Sequence, residues 1–219
     1  MGYRWDFYAL TIHPTIWLWG FLVTLGYSVA TIAGGLLIGV VCGVLMLSGY
    51  RLITWPVSAF VQVFRCTPLL VQIIWFYYAL PVVIDLSIPA WLAAGLGLTA
   101  YMSAFSAEIF RGGIISIDKG QWQAARALGM TNAELMRHII LPQAIKRMVP
   151  PFVNQSVLQL KNTSLLAVVA VPDMMYNAQV LVSETFRPLE IYTGLGVAYF
   201  IILAPMQMLA KRLEHRDDI

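Results

Sequence analysis

The sequence predicts an all-α integral membrane protein with five transmembrane helices. Three observations predict it. Of the 219 residues, 59% are hydrophobic and only 11% charged, against about 25% charged in a soluble domain. The mean hydropathy is +0.74, more apolar surface than a soluble fold can hide. Finally, the charges are spaced so that they leave stretches of about 20 residues, the length needed to cross hydrocarbon.

The first such stretch has no Asp, Glu, Lys or Arg between Asp6 and Arg51, and places a span at about 18–48. The second, 57–82, is broken only by Arg65. "LPVVIDLSIP" then reads as a short loop between Pro81 and Pro89. A third span is expected at 90–115, a fourth at 148–170 and a fifth at 190–211. The whole chain, 1–219, reads as a single transmembrane domain. Gly34, Gly35, Gly39 and Gly43 put small residues along the first helix, as close helix packing in lipid requires, or as general glycine enrichment in membranes provides. Tyr77, Tyr78, Trp5 and Trp17 suit an interfacial aromatic belt.

Basic residues set the orientation. With the N-terminus outside, the inner segments hold Arg51, Lys119, Arg126, Arg137, Lys146, Arg147, Lys211, Arg212 and Arg216, and the outer ones only Arg4 and Arg187. The expected topology is N-terminus out, C-terminus cytoplasmic. The start, "MGYRWDFYAL", lacks the pattern of a cleaved signal peptide. Cys42 and Cys66 have no partner spacing, and no metal-ligand pattern stands out. A net charge of +3 without a basic run gives no reason to expect nucleic acid.

Residues 117–147 are too polar to span and fall on the cytoplasmic side. "KGQWQAARAL" is rich in helix formers. Gly129 follows as a left-handed helix stop. Thr131 and Glu134 form a capping-box pattern that starts a second helix, and Pro142 is expected to end it. Ala124, Ala125 and Ala127 keep the first helix thin enough to seat in a groove of a partner. The same composition also suits a helix lying on lipid headgroups.

The residues here resemble the cytoplasmic loop of permease subunits of bacterial ABC importers, which reads E-A-A, three residues, G, nine residues, I-x-L-P. Gln123-Ala124-Ala125 is followed by three residues and Gly129, and nine residues later come Ile139, Ile140, Leu141 and Pro142. Gln123 stands where the family usually has Glu. "VFRCTPLLVQIIWFYYALP", "SAEIFRGGIISIDKGQWQAARALGM" and "LKNTSLLAVVAVPDMM" are similar to segments of the branch that handles polar amino acids, the histidine/glutamine/glutamate type, with Asn162 at the usual Asp position. The resemblance covers about residues 18–212.

It implies a type I ABC importer permease fold, pairing with a second permease subunit, identical or related, and a cytoplasmic pair of ATPases. It also implies an external solute-binding protein that hands over a polar amino acid, and a bacterial cytoplasmic membrane. The ATPase-coupling residues would be Gln121, Gln123, Ala124, Ala125, Leu128, Gly129, Glu134, Leu141 and Pro142. The chain has no phosphate-binding G-x-x-x-x-G-K-[ST] loop and no catalytic constellation. It is therefore expected to be a non-catalytic subunit that binds no cofactor, with ATP and Mg held by the partner ATPase.

Polar side chains inside spans are candidates for a substrate pathway. Gln155, Gln159 and Asn162 recur at helical spacing on the fourth span. Their amides can bond a zwitterion, or can simply hold the bundle together. Glu108 is a further candidate, spaced to pair with Arg111 on its own helix, and Gln72 another. Arg65, near the inner end of its span, is expected to reach toward headgroups; Lys161 would do so toward the outside only if its helix is short, and otherwise needs a counter-ion. The rival reading of the whole chain is a secondary transporter or channel with no ATPase; a membrane-embedded enzyme is a weaker rival.

Overall fold

A computed structural model describes residues 3–214, and among these every regular element is helical. After a short 3-10 turn, Phe7–Leu10, come α1 (Pro14–Met46), α2 (Arg51–Cys66), α3 (Leu69–Ile84), α4 (Ala90–Ile115), α5 (Lys119–Ala127), α6 (Asn132–Val169), α7 (Met174–Thr185) and α8 (Pro188–Glu214). Helices α1, α4 and α8 are each long and apolar enough to cross a membrane. Counting the bent pairs α2–α3 and α6–α7 as one span each raises the number to five.

The seam between α1 and α4 is built from small residues. Gly20, Thr24, Ser28, Thr31, Gly35, Gly39 and Gly43 are all buried and fall three or four residues apart, so they form one stripe, of which Gly35, Gly39 and Gly43 meet α4 while Gly20 and Thr24 meet α7. Across from Gly39 the backbone of α4 is very close: a Cβ there would stand 2.8 Å from the Ser103 carbonyl oxygen and 3.0 Å from the Ala107 nitrogen. Only glycine fits. Without a hydrophobic drive between helices in lipid, such close packing is what holds them together.

The second expected span, 57–82, is two helices that meet at 110°. Pro68 is the cause. Its ring drives Thr67 into an extended conformation, φ −103° and ψ 143°, which no helix can continue through. The expected loop after Pro81 also begins later, because α3 runs on to Ile84 before Asp85 turns left-handed.

Pro142 does not stop its helix. The chain is helical from Asn132 through Val169, with a wide π-type turn over Leu135–Ile140 just before the proline. Such a turn relieves the clash between a proline ring and the carbonyl one turn back. Gln143 Nε2 donates to the Ile139 carbonyl at 2.8 Å. The fourth expected span is therefore the upper part of a longer rod. Arg216 lies outside the described residues.

Candidate functional site: a presented helix, an amide stripe and an elbow

Three constellations hold the residues singled out from the sequence. The first is α5 and the turn after it. Asp118 caps α5, its carboxylate accepting from the Gly120 N–H at 2.6 Å. At the other end Gly129 is left-handed, φ 79°. Its N–H donates to the Arg126 carbonyl, and the Met130 N–H to that of Ala125. Those two bonds make a Schellman stop. The capping box is formed: the Glu134 carboxylate accepts from both the N–H and the hydroxyl of Thr131. Those bonds hold the Glu134 carboxyl below the usual carboxylate range.

Helix α5 is anchored by one face. Ala125 is buried with Ile117, Leu135, Ile140 and Met148, and Trp122 and Leu141 pack against them. So Ala125 and Leu141, expected at a partner surface, face inward. Gln121, Gln123, Ala124, Leu128, Gly129, Glu134 and Pro142 are exposed. Leu128 is 82% exposed, an apolar tip with no cover from its own chain.

The second constellation is the amide stripe of α6. Gln159 is fully buried and ties three helices together: its Nε2 donates to Thr31 Oγ1 of α1 at 3.0 Å and to the Leu98 carbonyl of α4 at 2.9 Å. Its Oε1 and the Nε2 of Gln155, one turn away, are buried polar atoms with no hydrogen-bond partner in the chain. Asn162 is half-buried at the point where the α-helical part of the rod gives way to a 3-10 turn, Thr163–Val169. Lys161 is exposed.

The third constellation is the α2–α3 elbow. Gln72 was expected to line a pathway. Its Nε2 lies within hydrogen-bond distance of the Phe64 carbonyl (2.8 Å), the Thr67 carbonyl (3.1 Å) and Thr67 Oγ1 (2.8 Å), which ties the bend to itself, while its Oε1 is buried with no partner in the chain. Glu108 pairs with Arg111 at 2.8 Å, as the spacing predicted, and also with Arg65 of α2 at 3.6 Å. Arg65 does not simply reach for headgroups: its guanidinium lies 5.6 Å from the centre of the Phe105 ring. Gln72 and Glu108 thus have partners of their own, apart from the amide stripe.

Sequence reasoning missed Thr31, whose hydroxyl receives Gln159, and Asp173. The Asp173 carboxylate is fully buried; one oxygen caps α7 through the Tyr176 N–H at 2.8 Å and the other has no partner. A threonine amid apolar residues gives no sign of its function. Asp173, at the start of a helix, did carry the N-cap signal.

Comparison with known proteins places this arrangement. The chain is 38% identical over 201 residues to the glutamine transport system permease protein GlnP of Escherichia coli, covering 91% of this chain and 92% of that one. It is 39% identical over 197 residues to the probable glutamine ABC transporter permease protein GlnM of Bacillus subtilis, covering 90% and 91%. It is 31% identical over 211 residues to the arginine transport system permease protein ArtQ of Bacillus subtilis, covering 96% of each. Among solved structures, one described as an amino acid ABC transporter with histidines matches with a TM-score of 0.91 and 32% identity, over 98% of this chain and 100% of that one. The MetNI methionine ABC transporter, 21% identical, shares the fold with a TM-score of 0.72, over 90% and 94%. The fold is that of type I ABC importer permeases. With its residues 35–216 matching the family model, the chain belongs to the inner membrane components of binding-protein-dependent transport systems.

Proposed function

We propose that this permease subunit of an amino acid ABC importer carries neutral polar amino acids by alternating access, driven by ATPases that dock on α5 and the turn after it. The observation that carries this reading is the presentation of α5. The helix is capped at both ends and anchored by Trp122 and Ala125, yet it offers an uncovered apolar tip at Leu128. A surface built this firmly around an exposed leucine, flanked by Gln121, Gln123 and Glu134, suits a shaped protein groove, although Lys119 and Arg126 on the same helix also leave it able to meet anionic headgroups.

In this reading residues 117–147 are the cytoplasmic coupling insert, the N-terminus is outside and the C-terminus inside. The protein crosses the bacterial cytoplasmic membrane several times, pairs with an identical or related permease, and receives its substrate from a solute-binding protein. ATP and Mg belong to the ATPase; this chain holds neither. The amides of Gln155, Gln159 and Asn162 bond the substrate in turn. They carry no charge, and Glu108 is already matched by two arginines, so a neutral side chain such as that of glutamine fits better than a cationic one. A pathway of this kind drives transport only if it binds its substrate differently in the two states.

The test is purification of the tagged chain from its native membrane in mild detergent, with mass spectrometry of what accompanies it. An ATPase with a phosphate-binding loop is expected, and Leu128→Asp should remove it while leaving the thermal melt of the permease unchanged. A chain that comes through alone in several detergents would overturn the docking and favour a transporter with no ATPase.

A further inference from the structure

We infer that Glu108 is a positioning residue that latches the α2–α3 elbow to α4, and that the elbow moves in the transport cycle by letting go of Arg65 while Arg111 keeps the Glu108 charge paired. This rests on the alternating-access reading above.

The elbow is rigid within itself. Gln72, almost fully buried, spans the break with an amide nitrogen whose two hydrogens are shared among the Phe64 carbonyl and the carbonyl and hydroxyl of Thr67, so flexing between α2 and α3 at Thr67–Pro68 would break the tie to Phe64. Motion there is motion of the whole elbow against α4. The contact it would slide over is smooth. Val61 packs on Ala104 and Ala107, and Ile73 sits against Gly97, where an added Cβ would lie 3.2 Å from Ile73 Cγ1. Among the described residues, the ion pair that crosses this seam is Arg65–Glu108, and it fixes the register.

The pair is built for release. The Arg65 side chain is 35% exposed, so its long stem can swing the charge outward toward headgroups when it leaves. Glu108 is only 16% exposed and has no such exit. Removing the sole partner of a largely buried carboxylate strands the charge at a high cost. Arg111 avoids that cost, because its Nε and Nη2 stay on Glu108 Oε2 at 3.2 and 2.8 Å through the same helix. One acid with two bases, one fixed and one mobile, is a latch that opens without leaving a bare charge.

The experiment uses the purified complex in proteoliposomes and, on the same chain, a distance between spin labels. Cys66 on the elbow is exposed, and Gly112 on α4 has open space at its Cβ, so Cys66 with Gly112→Cys, in a Cys42→Ala background, reports the seam. Arg65→Gln should broaden and lengthen that distance and raise substrate-independent ATP hydrolysis by about two- to fivefold, the scale of a partly exposed ion pair. Arg65→Lys should restore both. Arg111→Gln should move both readouts the other way, since Glu108 then has only Arg65. An Arg65→Gln protein with unchanged distances overturns the latch, as does a change that Arg65→Lys fails to reverse. If the wild-type complex hydrolyses no ATP, the docking proposal fails instead, and the spin-label distances of the chain still decide on the latch.

Discussion

Helices α1 and α4 are neighbours and are built on opposite plans. In its most apolar window α1 is 22% buried within the chain, while α4 is 50% buried, although α1 is the more apolar of the two. In a soluble protein the ranking would run the other way. Here the more apolar helix of the two is the one left largely uncovered by the chain, and the helix with Ser103, Ser106 and Glu108 lies in the interior. Hydrocarbon is as good a solvent for leucine as another helix is, so apolarity marks exposure and polarity marks contact. The stripe of small residues from Gly20 to Gly43 on α1 departs from this, and it is the stripe that touches other helices, α7 at Gly20 and α4 from Gly35 to Gly43.

The sharpest way to break this contrast is a matched pair of glycine substitutions on α1. Gly39→Ala forces a methyl group onto the α4 backbone and should cost about 1–3 kcal/mol. Gly26→Ala meets nothing within 4 Å and should stabilise by about 0.5–1 kcal/mol through helix propensity. Opposite shifts in thermal melting in detergent are expected; equal shifts would mean that the seam is looser than described. Next in size, Gln159→Leu removes the bonds to Thr31 and Leu98 and should cost about 1 kcal/mol of stability, the scale of an interhelical hydrogen bond in a membrane. Its uptake should fall much further than its melting temperature, if the amide also serves the substrate. Uptake that tracks stability alone would leave Gln159 a purely structural tie. Smallest of all, Leu37→Ala, at a position 72% exposed, should shift stability by less than about 0.5 kcal/mol. A large loss there would show that protein, not lipid, covers that face of α1.

Much of this was legible because the signals are local. Long apolar runs gave α1, α4 and α8, and the run expected at 90–115 folds as one helix, Ala90–Ile115. Gly129, Thr131 and Glu134 announced their caps, since a cap is decided by a few neighbouring residues. Pro142 misled for a related reason: a proline states only that its own N–H is missing, and the wide turn that accommodates it has no sequence signature. Pro68 did carry a warning in the residue before it, which the apolar run around it masked. Wholly illegible were the partners chosen across helices. Glu108 could be matched to Arg111 by spacing, but Arg65 reaches it only through the 110° elbow. Gln72 reads as a pathway candidate because a buried amide in a span is costly, and its unpartnered Oε1 leaves that reading open. That it spends its nitrogen on the elbow depends on a bend that the run of apolar residues hid.

The continuity of α6 carries a mechanical consequence. The segment that buries Ala125 against Leu135 and Ile140 and the segment that presents Gln155 and Gln159 are parts of one rod. From Leu141 to Gln159 that rod rises about 27 Å at 1.5 Å per residue, with no loop between to absorb a push. A force applied where α5 sits on its foot would therefore reach the amides through continuous helix. The wide turn over Leu135–Ile140 and the Pro150–Pro151 pair are the places where that rod can bend, wind or unwind.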